Sequence, residues 1–76
     1  MTKADEDIMI FAFRYAITRH TYALYSVVEY ILERKHQLSE FTIKQIINEA
    51  GAASQFYCIH ECDQEVLDYL VLKLTD

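Results

Sequence analysis

The sequence predicts an all-α fold, a small bundle of three to four helices, and three observations predict it. Proline is absent and glycine occurs once, at Gly51, which helices tolerate and a turn-rich β fold does not. Apolar residues recur at spacings of three and four through most of the chain. Polar residues able to cap helices interrupt those runs near Thr21 and Ser39.

The first segment, Asp7 to about Thr18, carries Ile8, Phe11, Ala12, Tyr15 and Ala16 at helical spacing. Asp5, Glu6 and Asp7 stand where the positive end of a helix dipole favours negative charge. Ile10, Ala12 and Arg14 also alternate with Met9, Phe11 and Phe13, so a short extended segment is the alternative. Residues 1–6 read as a flexible N-terminal tail, and the whole of 1–76 as a single small domain.

Thr18-Arg19-His20-Thr21 is a low-propensity polar break, with Thr21 placed to cap the next helix. That second helix, Tyr22 to about His36, has Leu24, Val27, Val28, Ile31 and Leu32 on one stripe and Arg34, Lys35 and His36 in its last turn. Ser39 caps a third helix with Ile43, Ile46, Ile47 and Ala50 on its stripe, and Gly51 is expected to end it in a left-handed conformation. Residues 52–61 are ambiguous. A fourth helix is expected to start near Asp63, with Glu65 in its first turn, and to pack Val66, Leu67, Leu70, Val71 and Leu74.

Seven Lys and Arg against twelve Asp and Glu give a formal charge of −5. That balance disfavours broad phosphate neutralisation, which needs a clustered basic face. The hydrophobic fraction is 53%, with six Tyr and four Phe, which is rich for a chain with so much surface. A homodimer is therefore expected, because a face of exposed aromatics marks an interface. The polar, acidic start does not read as a signal peptide, so none is expected, and no apolar run reaches the roughly 18 residues of a membrane span. The expected location is the cytoplasm, with both thiols reduced.

Cys58-Ile59-His60-Glu61-Cys62 holds three soft ligands within five positions. On a helix Cys58 and Cys62 share a face and His60 departs from it, and His20 and His36 are the remaining histidines. The expectation is no metal, one cysteine acting as a small hydrophobe and the other near a helix start. No catalytic residues and no cofactor are expected, since no acid–base or phosphate motif accompanies the thiols and the chain has little wall for a pocket.

Arg14-Tyr15-Ala16-Ile17-Thr18-Arg19-His20-Thr21-Tyr22 concentrates positive and aromatic side chains in an otherwise acidic chain. Arg, Tyr and His suit recognition, being large, amphipathic and able to hydrogen-bond. The candidate partner-binding residues are Arg14, Tyr15, Arg19, His20 and Tyr22, with a cation–π contact available between Tyr15 and Arg19 at i,i+4. The alternative is structural: Arg14 and Arg19 paired with carboxylates of the fourth helix, such as Asp63, Glu65 or Asp68.

The stretch from Phe13 to Tyr22, with Val27-Val28-Glu29-Tyr30-Ile31, Leu38-Ser39, Ile46-Ile47-Asn48-Glu49 and the late Glu61-Cys62-Asp63, resembles a family of short bacteriophage and mobile-element proteins. That family carries an Arg-Tyr-Ala-x-x-Arg-x-Thr-Tyr core, and the resemblance spans most of the chain; Thr18 stands where the family favours Gly. The resemblance implies an accessory protein acting by protein–protein interaction, with inhibition of a host or defence component as its expected effect. A second stretch, Thr42 to Gly51 followed by Gln55-Phe56-Tyr57, is similar to the helix-turn-helix of tetracycline-repressor-type regulators. That similarity implies DNA binding through a recognition helix at about Ala53 to His60. The segment is one residue short for the recognition turn, and that helix holds no Lys or Arg to reach phosphate or guanine.

Overall fold

The computed structural model describes residues 1–19, 23–56 and 61–76. Four helices make up the described chain: α1 (Lys3–Arg19), α2 (Ala23–Glu33), α3 (Glu40–Phe56) and α4 (Glu61–Thr75), with a 3-10 turn at Lys35–Gln37 between α2 and α3. The first segment is helical, not extended, and the described residues contain no strand. The proposed cap at Thr21 lies outside the described residues.

The bundle closes in the ring order α1–α2–α4–α3. Helices α1 and α2 are neighbours separated by only three residues of chain, a link short enough to make them antiparallel, and Asp5, Ile8 and Ala12 share a groove with Ser26, Val27 and Tyr30. Glu6 meets Ser39 and Thr42 while Arg14 meets Glu49, so α1 and α3 run parallel. Ile47 and Ser54 of α3 lie beside Leu67, Asp68 and Val71 of α4, and Lys35, just past the end of α2, reaches the carbonyl of Lys73 late in α4. Two neighbouring pairs are therefore parallel, and the α2–α3 connection crosses the bundle diagonally at one end.

Phe13, Leu24, Ile31, Ile46, Leu67 and Leu70 are the largest fully buried side chains, and every helix contributes at least one. The α2 stripe forms as its spacing predicts: Leu24, Val28 and Ile31 are buried, with Val27 and Leu32 packed beside them. In α1 the inward stripe is Met9, Ile10, Phe13, Ala16 and Ile17; of the expected stripe of Ile8, Phe11, Ala12, Tyr15 and Ala16, only Ala16 is in it, Ala12 is half-buried, and Ile8, Phe11 and Tyr15 are exposed. Both stripes are apolar at helical spacing, and periodicity alone does not choose between them.

Four boundaries differ from expectation: the start of α1, the ends of α2 and α3, and the start of α4. Residues 3–6 are not a tail but the first turn of α1. Thr2 caps it: the Asp5 amide donates to the Thr2 hydroxyl at 3.2 Å, and the Asp5 carboxylate accepts from that hydroxyl at 2.9 Å and from the Thr2 amide at 3.4 Å. This is a reciprocal capping box with aspartate in the glutamate position. At the end of α2 the α-helical turns stop at Glu33, where Arg34 folds back over the Tyr30 ring at 3.6 Å. Lys35 then serves a different helix, its ammonium donating to the Lys73 carbonyl at 3.1 Å near the C-terminal, electron-rich end of α4.

Gly51 does not terminate α3, which continues to Phe56. Ala50 and Ala53 on either side of it are buried in the core, Ala50 beside α4, and this packing together with the helix propensity of alanine carries the helix through the glycine. The ambiguous stretch thus resolves in part: residues 52–56 belong to α3, and α4 begins at Glu61, two residues before expectation. No helix of the described chain is long and apolar enough to cross a membrane.

Candidate functional site

Helix α1 has two apolar faces. Opposite the buried stripe, Ile8, Phe11 and Tyr15 are 67%, 70% and 52% exposed. Ala4 and Thr18 extend the same line in both directions, giving a row at 4, 8, 11, 15 and 18. Exposed single hydrophobics are ordinary, but here they form a contiguous row on the outer side of one helix.

Arg14 and Arg19 flank this row. Arg14 reaches across to α3, where its Nη2 lies 2.7 Å and its Nε 2.8 Å from Oε1 of Glu49. Hydrogen bonding to that carboxylate, and then its charge, raise the Arg14 pKa further above its ordinary value. The pair half-closes an open groove of about 490 Å³ whose lining includes Phe11, Tyr15, Ile17 and Thr18. The structural alternative places the Arg14 partner on the fourth helix. The carboxylate is on α3 instead, because the ring order sets α1 beside α3 and diagonal to α4.

Arg19 stacks on its own helix, with its guanidinium carbon 5.3 Å from the centroid of the Tyr15 ring. The i,i+4 cation–π contact read from the spacing is formed. Thr18 donates its hydroxyl to the Tyr15 carbonyl at 3.0 Å, a bond that a side chain one turn on makes without breaking the helix. Three of the five candidate residues, Arg14, Tyr15 and Arg19, are thus brought together on the outward side of α1. His20 and Tyr22 lie outside the described residues.

At the other end of the α1–α3 contact, Glu6 is buried, 7% exposed. Its carboxylate accepts from the Ser39 amide at 3.0 Å, and the Thr42 and Ser39 hydroxyls lie against its second oxygen. The hydrogen bond from Thr42, then that from the Ser39 amide, hold Glu6 below the ordinary carboxylate range although burial opposes them. Sequence reading misses this group because its partners lie more than thirty residues away. Its role is structural: it fastens the start of α3.

A second groove, of about 690 Å³, lies between α2 and α4. Tyr25, Val28, Leu32, Val66 and Tyr69 line it, and Glu29, Glu33 and Glu65 put carboxylates around it. Partial burial, contact with Cys62 and the nearby Asp63 and Glu65 push the Tyr25 hydroxyl up from its ordinary pKa. Cys62 is an exposed free thiol. Cys58 and His60 lie outside the described residues, and among the described residues no group of His, Cys, Asp and Glu is arranged to hold a metal.

The helix-turn-helix similarity requires a turn after Gly51. Residues 40–56 form one uninterrupted helix, and Thr42, Ile46, Ala50 and Ala53 along it are buried in the bundle. No family model, no curated protein and no solved structure matches the chain significantly.

Proposed function

We propose that this chain is a small helical interaction protein of the phage or mobile-element accessory type, which works by occupying a surface of a host or defence protein. The working surface is the outward face of α1, where Arg14, Tyr15 and Arg19 surround the exposed Phe11, and His20 and Tyr22 continue the segment in sequence. In this proposal the chain rests as a homodimer and acts in the host cytoplasm, where the partner takes the working surface in place of a second copy.

The observation that carries the proposal is the second apolar face of α1. A helix that is apolar on opposite sides is stable when both sides are covered, and the bundle covers only one. The side chains there have the chemistry of binding hot spots: an aromatic pair for area, with two guanidiniums at the margin for carboxylates or phosphates. Arg19 suits recognition better than Arg14, whose guanidinium is already committed to Glu49.

The test is capture from a lysate of the natural host by the immobilised chain, compared with Tyr15→Ala and Arg19→Glu. Both residues are exposed, so helicity should be unchanged while capture is lost. Undiminished capture by both variants sinks the proposal. The DNA-binding alternative predicts retention on duplex DNA that falls steeply with salt, and no retention at low salt disposes of it.

A further inference from the structure

We infer that the outward face of α1 is a self-association seam, on which two copies of this chain pair α1 against α1 in antiparallel orientation about a two-fold axis near Phe11. The inference rests on reading that face as an interaction surface and names a second copy as its occupant.

Two features of the face select this occupant. The exposed row Ala4, Ile8, Phe11, Tyr15 and Thr18 follows spacings of four, three, four and three, the repeat by which one helix seats its side chains between those of another. The charges beside the row are divided along it. Asp5 and Asp7, with Lys3 ahead of them, flank its first half, and Arg19 and the Glu49-paired Arg14 flank its second, these five residues of α1 all exposed. A parallel pair would set acid against acid and base against base. An antiparallel pair brings Asp5 and Asp7 of each copy toward Arg19 and Arg14 of the other and sets Ile8 opposite Tyr15.

Such a contact is isologous, so it closes at two copies and does not propagate. The α2–α4 groove fails the same test. A two-fold across it would oppose Glu29, Glu33 and Glu65 with their own copies. Residues 4–18 span about 22 Å of helix, a short seam, so the dimer is reversible at micromolar to higher concentration.

The experiment is sedimentation equilibrium on the full chain over roughly 1 µM to 1 mM, the range in which a short seam associates. The expected result is a mass rising from monomer to dimer and no further. Phe11→Asp and, separately, Ile8→Asp should hold the monomer mass at every concentration with unchanged circular dichroism. Orientation is read by disulfide trapping in a Cys58→Ser, Cys62→Ser background. A mixture of Ala4→Cys and Thr18→Cys chains should cross-link to each other, and Ala4→Cys alone should not cross-link to itself.

Three results would each overturn the inference: a monomer throughout the range, a dimer that survives both aspartate variants, or self-trapping by Ala4→Cys without trapping in the mixture. A monomer whose Arg19→Glu variant still loses host capture leaves the interaction surface standing and removes only its pairing with a second copy. A dimer that captures nothing does the reverse.

Discussion

The Glu6 carboxylate of α1 accepts the backbone amide of Ser39 at 3.0 Å, on the threshold of α3. In a capping box the third residue of a helix turns its own carboxylate back to the cap amide. Here that third residue is Thr42, which donates its amide to the Ser39 hydroxyl at 3.2 Å, and the carboxylate arrives from a different helix. The start of α3 is thus completed by α1, and the parallel packing of the two helices is fixed at one end by this cluster and toward the other by Arg14 and Glu49.

Replacing Glu6 by Ala leaves the Ser39 amide and the Thr42 hydroxyl without their acceptor, at a cost of about 2–3 kcal/mol. A chain of this size has only roughly 4–11 kcal/mol of stability to lose. The direction of the Glu6 shift sets the pH dependence. A carboxyl held below its unfolded value contributes stability fully above the ordinary carboxylate range, and that contribution is lost as pH falls through the folded value. Urea denaturation from neutral to acid pH should show this loss in the native chain and a shallower one in Glu6→Gln.

Gly51→Ala is expected to stabilise. The position is an exposed helix interior, and an added Cβ meets nothing within 4 Å. Removing the glycine's backbone freedom is worth about 0.5–1 kcal/mol, or roughly 3–6 °C in Tm for a domain this small. A fall in the thermal midpoint would show that the glycine serves some contact outside the bundle.

Phe11 and Phe13 stand two positions apart on one helix, one 70% exposed and the other fully buried. Phe13→Ala opens a cavity among the core side chains and should cost about 3–5 kcal/mol, enough to bring the fold to its limit. Phe11→Ala should lie within about 0.5 kcal/mol of the native chain when measured at dilute, monomeric concentration. Equal losses at the two positions would contradict the placement of the two α1 faces.

For Arg14 and Glu49 a double-mutant cycle is the appropriate measurement. The side chains are 50% and 27% exposed, so solvent screens the pair. The coupling should be about 0.5–1 kcal/mol at low ionic strength and should shrink as salt is added. A coupling indifferent to salt would mean the contribution comes from packing of the guanidinium stem.

Local signals in the sequence are sufficient for helix type and for the α2, α3 and α4 stripes, because each of those helices has one dominant apolar side. They are insufficient at α1, where two apolar sides compete and the winner is decided by the packing of the other helices. The Thr2–Asp5 cap is a local signal too, masked by the general acidity of residues 5–7, which suits a helix start one turn later equally well. Gly51 misleads because a glycine after an apolar run resembles a stop, whereas Ala53 two residues on is buried and needs the helix to continue. The site is half legible. The clustering of Arg14, Tyr15 and Arg19 is visible along the chain, but Glu49 as the Arg14 partner depends on ring order, which no local pattern encodes.

Helix α1 carries an inward face that fills the core, a carboxylate that completes α3, and an outward face open to contact. Shortening the chain from its start removes all three together. A truncated form that no longer engages a partner would therefore report lost folding as readily as lost contact. Mapping by deletion cannot assign function in this molecule. Single substitutions confined to the outer side of α1, scored against retained helicity, are the informative design.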